Sequence, residues 1–159
     1  MDPDCSRTQD GKDHPMSIKQ VTPPEAKAAL DADPDAIYLD VRTEMEFAMG
    51  HPAGAINIPV AFPDPAAGGM RLNADFLPMV QKLLPADKPI LCGCQMGGRS
   101  QMAAQVLDQA GYTNLANVQG GFGGARDAGI PGWKSAGLPV SSETGDDVSY
   151  AGLRKKAGL

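Results

Sequence analysis

The sequence predicts an α/β fold, a mainly parallel central sheet of about five strands flanked by helices. Three observations predict it. Short apolar runs alternate along the chain with segments of helical period. One run, "AIYLDV" (Ala36–Val41), is almost continuously apolar, which suits a parallel strand covered on both faces. Two helix starts carry capping boxes just after such runs.

The elements follow in order. Ser17–Val21 is a short β-prone piece. In "TPPEAKAAL", Thr22 and Glu25 have capping-box spacing, and the prolines fall in the first turn, where a missing N–H costs nothing. Ala26, Ala29 and Leu30 then share a helical face. After Ala36–Val41, Thr43 and Glu46 repeat the capping box and Gly50 stops the helix. "GAINIP" (Gly54–Pro59) is another strand, whereas Ala61–Arg71, rich in Pro and Gly, reads as an exposed loop.

Phe76, Leu77, Val80, Leu83 and Leu84 recur at helical spacing, with Pro78 confined to the first turn. "PILCG" (Pro89–Gly93) is a strand, and Ser100–Ala110 is a helix closed by Gly111. "LANV" (Leu115–Val118) is the last strand, followed by a glycine-dense stretch and then "WKSAGLPV" (Trp133–Val140). Residues 17–140 form the expected single domain, with no internal repeat. Residues 1–16 read as a disordered polar tail or cloning remnant, with Met16 a natural start, and 141–159, polar and then basic, as a C-terminal tail or a weak terminal helix.

The 159 residues suffice for one domain with a core. With 42% hydrophobic and 21% charged residues the chain is globular, and a net charge of −5 argues against binding nucleic acid by bulk attraction. A small anion is still admissible, because local N–H groups and one Arg can hold it in an acidic protein. No apolar run is long enough to span a membrane, and the N-terminus shows neither a secretory leader nor an Arg-rich transit sequence. Three cysteines argue against a disulfide framework and favour a reduced, cytoplasmic setting.

In parallel sheets ligands sit beyond the carboxyl ends of the strands. Cys94 lies there. The residues after it, Gln95, Met96, Gly97, Gly98, Arg99 and Ser100, lead into a helix. Glycines let successive N–H groups curl inward as an anion-binding nest, and the helix start adds unpaired N–H groups and partial positive charge. Such a setting, with Arg99 beside it, favours the thiolate, so Cys94 is the candidate nucleophile.

Cys92 lies within the apolar strand and reads as a core residue, with a resolving thiol as the alternative. Cys-Gly-Cys lacks the paired spacing of structural zinc sites, and no cofactor is implied. Cys5 reads as incidental. Asp40 and Arg42, at the end of a buried strand, read as structural hydrogen-bond or ion-pair partners near the loop. Glu46 is accounted for by its cap with Thr43, and His51 reads as a satisfied structural histidine. Arg99 either braces the loop or attracts a donor. Met70, Met96 and Met102 read as packing or pocket wall rather than a metal site.

"YLDVRTEMEFAMGHPAGAINIPV" (Tyr38–Val60) resembles the first signature of rhodanese domains. "CQMGGRS" resembles their active-site loop, and "GWKSAGLPV" their usual ending, so the likeness spans about Ser17 to Val140. "GGM", "NADFL" and "GCQMGGRS" together look most like plant-type single-domain rhodaneses, which also occur in bacteria. The resemblance implies a rhodanese-like fold and a sulfurtransferase. Cys94 would take the outer sulfur of a donor such as thiosulfate or a persulfide, and sulfite would leave from thiosulfate. The Cys94 persulfide would then pass its sulfur to cyanide, a small thiol or a thioredoxin-like protein.

Two alternatives accompany that implication. One is a sulfur carrier or a non-catalytic rhodanese-like recognition module. The other is a phosphatase or arsenate reductase of the related cysteine-loop fold. Those enzymes place five residues between Cys and Arg, whereas four separate Cys94 from Arg99. Two departures from the family pattern stand out. Gln95 and Met96 are neutral where many thiosulfate-preferring members carry cations, and "GGARDAGIPG" (residues 123–132) is an extra loop. That loop and Ala61–Arg71 are the candidates for lining the mouth of the site.

Overall fold

A computed structural model describes residues 18–125 and 129–159. The N-terminal segment, Cys5 included, lies outside the described residues, as do residues 126–128 of the extra loop. The chain runs β1 (Ile18–Val21), α1 (Pro23–Ala32), β2 (Ile37–Asp40), α2 (Glu44–Met49), β3 (His51–Pro52) and β4 (Ile56–Asn57). It continues through β5 (Ala61–Asp64), β6 (Gly69–Leu72), α3 (Phe76–Leu83), β7 (Ile90–Gly93), α4 (Gly98–Gln109) and β8 (Leu115–Val118). β9 (Val140–Ser141) and α5 (Tyr150–Ala157) complete it.

The central sheet has five strands in the order β1–β8–β7–β2–β4, every pair parallel. Apolar side chains cover both its faces. On one side lie Leu39, Ile58, Met79, Val80, Ile90, Ala103 and Leu107, and on the other Ala26, Tyr38, Phe47, Leu91, Val118 and Trp133. β2 and β7, buried at the centre, end side by side at Asp40 and Gly93, so the loops after them meet. Among the described residues no helix is long and apolar enough to cross a membrane.

Local signals account for much of this. Both capping boxes form, Thr22 with Glu25 and Thr43 with Glu46, and Gly50 caps α2 at φ 148°. Pro78 sits in the first turn of α3. α1, however, buries Pro23 and Ala26 while Ala29 stands exposed, so its contact stripe is narrower than expected. α4 begins at Gly98, two residues before the expected Ser100, which brings Arg99 and Ser100 into its first turn.

Two expectations are corrected, and one open alternative is decided. Ala61–Arg71 is an antiparallel ribbon, with Ala61 opposite Leu72 and Asp64 opposite Gly69 around a short turn at Pro65–Ala67. Both strands of a two-stranded ribbon are edges, so Pro63 and the glycines are tolerated there. Leu115–Val118 is not the last strand, because Val140–Ser141 pairs antiparallel with His51–Pro52. Of the two readings of the segment from Ser141, tail or terminal helix, its end takes the helix. Ser149 caps α5, and Tyr150, Leu153 and Ala157 join the core against α3. Gly152 weakens the helical signal, yet a Cβ there would lie 2.2 Å from the Asp146 carbonyl oxygen, so close packing requires it.

Candidate active site

The site begins with the glycine between the two cysteines. A Cβ at Gly93 would lie 1.8 Å from the Tyr38 hydroxyl oxygen. Tyr38 is buried edge-on against Trp133, with ring centroids 5.5 Å apart, and Trp133 is anchored by Nε1–H donating to the Pro139 carbonyl at 2.6 Å. Only glycine fits between the thiols.

Cys92 belongs to β7 and has no exposed surface. Burial first, and the neighbouring Cys94 second, push its thiol up to about 12. Cys94 lies just past the strand, where the backbone leaves the sheet. Its Sγ accepts the Gly97 N–H at 3.0 Å and lies 3.4 Å from the Ser100 Oγ. Gly97 adopts φ 122° to make that turn. The first N–H groups of α4 have no partner within the helix, so the sulfur sits at a partially positive helix start.

The glycine-dense stretch after β8 shapes this loop. Phe122 N–H donates to the Cys94 carbonyl at 2.8 Å, Gly123 N–H to that of Gln95 at 2.9 Å, and Gly120 N–H to that of Met96 at 3.1 Å. A planar trans peptide points its carbonyl and its N–H in opposite directions. Tethering those carbonyls therefore turns the N–H groups of Gln95, Met96 and Gly97 the other way, and that of Gly97 meets the sulfur. A Cβ at Gly121 would lie 2.1 Å from the Cys94 carbonyl oxygen, so the approach is open to glycine alone.

Two ion pairs brace the loop. Arg42 and Asp40 pair in the interior, with Nη2 to Oδ2 at 2.7 Å and Nε to Oδ1 at 3.0 Å. Arg42 also donates to the Gly50 carbonyl at 2.7 Å and to Gln95 Oε1 at 3.3 Å, and lies 4.7 Å from the centre of the Phe122 ring. Asn57 Nδ2 ties down this strand end by donating to the Asp40 and Arg42 carbonyls at 3.0 and 2.9 Å. Arg99 grips Glu46 with both nitrogens at 2.8 and 2.9 Å. The Arg99 bond holds the Glu46 carboxyl at about 2 against an ordinary 4.5, while that carboxylate raises Arg99.

Sequence reasoning named Cys94, its loop, Asp40 and Arg42 as candidates, and the structure brings them together at the ends of β2 and β7. It missed that Glu46 reaches across 53 residues to Arg99 while it caps α2. It also missed Asn117 and Gln20. Asn117 Oδ1 accepts the Ser100 hydroxyl at 2.6 Å, and Asn117 Nδ2 donates to Gln20 Oε1 at 2.9 Å. No local pattern signals such long-range partners. His51 is buried against Phe47, and its Nδ1–H donates to the Phe47 carbonyl at 2.8 Å, a packing role.

Clefts flank the loop on both sides. One, of about 480 Å³, is lined by Gln20, Gln101, Asn117, Gln119, Met96 and Ile130, so the extra loop reaches it through Ile130. The other, also about 480 Å³, is apolar and lined by Met45, Met49, Pro63, Met70 and Arg99, the ribbon supplying Pro63 and Met70. Met70 and Met96 are exposed and Met102 packs on the core. Among the described residues, no three His, Cys, Asp or Glu side chains gather to hold a metal.

The rhodanese-like domain family model matches residues 22–128. Thiosulfate sulfurtransferase 16, chloroplastic, of Arabidopsis thaliana is 43% identical over 94 residues, which is 59% of this chain and 77% of that one. Thiosulfate sulfurtransferase GlpE of Haemophilus influenzae is 32% identical over 127 residues, 80% of this chain and 98% of its own. Among solved structures, Rv0390 from M. tuberculosis superposes with a TM-score of 0.65 at 32% identity, covering 79% of this chain and 98% of that one.

Proposed function

The chain belongs to the rhodanese-like domain family, and from that premise we propose that it is a sulfurtransferase working through a Cys94 persulfide. The observation that carries the reading is the Cys94 sulfur at a helix start, with an N–H at 3.0 Å and the loop carbonyls tethered away from it. Negative sulfur is stabilised there without a general base. The Cys94 thiolate attacks the outer sulfur of thiosulfate, the sulfur–sulfur bond breaks, and its electrons leave on sulfite. The persulfide then yields its outer sulfur to cyanide, giving thiocyanate, or to a thiol, giving a new persulfide. The thiolate is restored in either case. A reduced, cytoplasmic compartment suits this free nucleophile.

The donor is open to a second reading, favoured by one observation. Both arginines at the loop are committed, Arg42 to Asp40 and Arg99 to Glu46, and Gln95 and Met96 are neutral. A dianion would meet N–H dipoles and no unpaired guanidinium. That arrangement favours a persulfide donor and a sulfur-carrier role over thiosulfate turnover.

Intact mass after thiosulfate treatment of wild type, Cys94→Ser and Cys92→Ser tests both readings. The expected result is one added sulfur in wild type and Cys92→Ser and none in Cys94→Ser. An added sulfur surviving Cys94→Ser would sink the assignment. Uptake from a small persulfide but not from thiosulfate would select the carrier reading. Release of phosphate from an aryl phosphate would replace both.

A further inference from the structure

The Ser100 hydroxyl has three acceptors in reach and one proton to give. Asn117 Oδ1 is at 2.6 Å, the Gly97 carbonyl at 3.1 Å and the Cys94 sulfur at 3.4 Å. The Asn117 contact is short even for a hydroxyl–oxygen bond, whereas 3.4 Å is ordinary for a sulfur acceptor, so we place the proton in the Asn117 bond. The sulfur therefore faces the lone-pair side of Oγ, although a hydroxyl beside a nucleophilic sulfur is well placed to donate to it. Ser100 is fully buried and Asn117 nearly so, which denies Oδ1 a ready replacement donor from solvent.

The orientation of Asn117 is itself held. Its Nδ2 donates to Gln20 Oε1 at 2.9 Å, and Gln20 Nε2 donates to Gln101 Oε1 at 2.7 Å. With its amide nitrogen committed to Gln20, Asn117 must turn its oxygen to Ser100. The amide donors of Asn117 and Gln20 both point away from the sulfur, from β8 through the exposed side chain on β1.

We propose that Asn117 is a positioning residue that withholds the Ser100 hydroxyl from the Cys94 sulfur, and that Gln20 locks Asn117 in that orientation. The inference rests on the reading of Cys94 as the reacting group. It adds a control on the charge that sulfur carries. When the sulfur becomes anionic, as thiolate or persulfide, the hydroxyl can reach it only by leaving Asn117 Oδ1 unpaired. The withheld bond leaves an anionic sulfur one hydrogen bond short and makes the persulfide a better sulfur donor.

Other groups act on the same sulfur. Arg99, Tyr38 and Cys92 are coupled to it electrostatically, with Glu46, Asp40 and Arg42 behind them. The test must leave these in place. In a Cys5→Ser background, the rate of Cys94 alkylation by iodoacetamide is followed against pH. This needs no sulfur transfer. Asn117→Leu is expected to move the midpoint down by roughly half to one pH unit, because the freed hydroxyl turns to the sulfur. Gln20→Leu, on an exposed side chain, is expected to move it the same way by less.

Asn117→Asp keeps an acceptor on Ser100 and adds charge, so its midpoint is expected to rise. In a Ser100→Ala background the Asn117→Leu shift is expected to vanish. An unchanged or raised midpoint in both Asn117→Leu and Gln20→Leu, or a shift that persists without the Ser100 hydroxyl, would overturn the proposal. A shifted profile in a protein that takes up no sulfur would instead uphold this inference and remove the sulfurtransferase reading.

Discussion

Cys92 and Cys94 are two residues apart and almost equally hidden, at 0% and 2% exposure, yet their surroundings are opposite in kind. Around Cys92 the strand is paired on both sides and the neighbours are apolar, so nothing answers a negative charge on its sulfur. Around Cys94 the backbone has left the sheet, the loop carbonyls are tied to the glycine stretch, and the Gly97 N–H meets the sulfur. Reactivity of a buried thiol is decided by which backbone groups face the sulfur, and lack of exposure does not separate the two.

The largest test of that contrast is chemical. With its thiol pushed up to about 12, only about one Cys92 in ten thousand is ionised at pH 8. Iodoacetamide is therefore expected to leave Cys92 unmodified in the native protein and to label it after unfolding, as read by peptide mass. Rapid native labelling of Cys92 would erase the contrast.

The next effect is on stability. Arg42→Met leaves Asp40 buried and uncompensated, and is expected to cost about 3–5 kcal/mol by chemical denaturation. It also releases the Gln95 side chain and Phe122, so sulfur uptake should fall in the fraction that remains folded. Gly93→Ala tests the boundary between the thiols. It drives a Cβ against Tyr38, with an expected loss of about 1–3 kcal/mol. Tyr38→Phe is expected to restore part of that loss by removing the hydroxyl.

The smallest effect is at the half-buried brace. Glu46→Gln keeps the cap geometry and weakens the Arg99 pair, for an expected loss of up to about 1 kcal/mol, because the pair is partly solvated. The sign with pH follows from the direction of the shift. The folded value lies below the unfolded one, so the contribution is complete above about pH 4.5 and lost as pH falls toward 2. Denaturation midpoints of wild type and Glu46→Gln should therefore converge through that window.

Legibility in the sequence followed range. Thr22 with Glu25, Thr43 with Glu46 and the stop at Gly50 are contacts within a few residues, and spacing reports them. The strand Ile37–Asp40 was legible because burial on both faces removes alternation. The ribbon at Ala61–Leu72 was not, because Pro and Gly mark turns and edges alike. The helix at Tyr150–Ala157 was legible only as one of two readings, because Gly152 weakens its signal, and the reason for that glycine lies in the Asp146 backbone pressed against it.

Composition and local spacing were enough to establish an α/β order of elements, a thiol placed after a strand, and glycines leading into a helix start. Those properties depend on neighbours in the chain. Which N–H meets the sulfur, which carboxylate occupies Arg99, and where the Ser100 proton goes depend on Gly97, Glu46, Gly120 and Asn117 arriving from separate elements. Hydrogen bonds are decided within a few tenths of an ångström. Positions that fine exist only once the sheet has set its register and the core has closed around it.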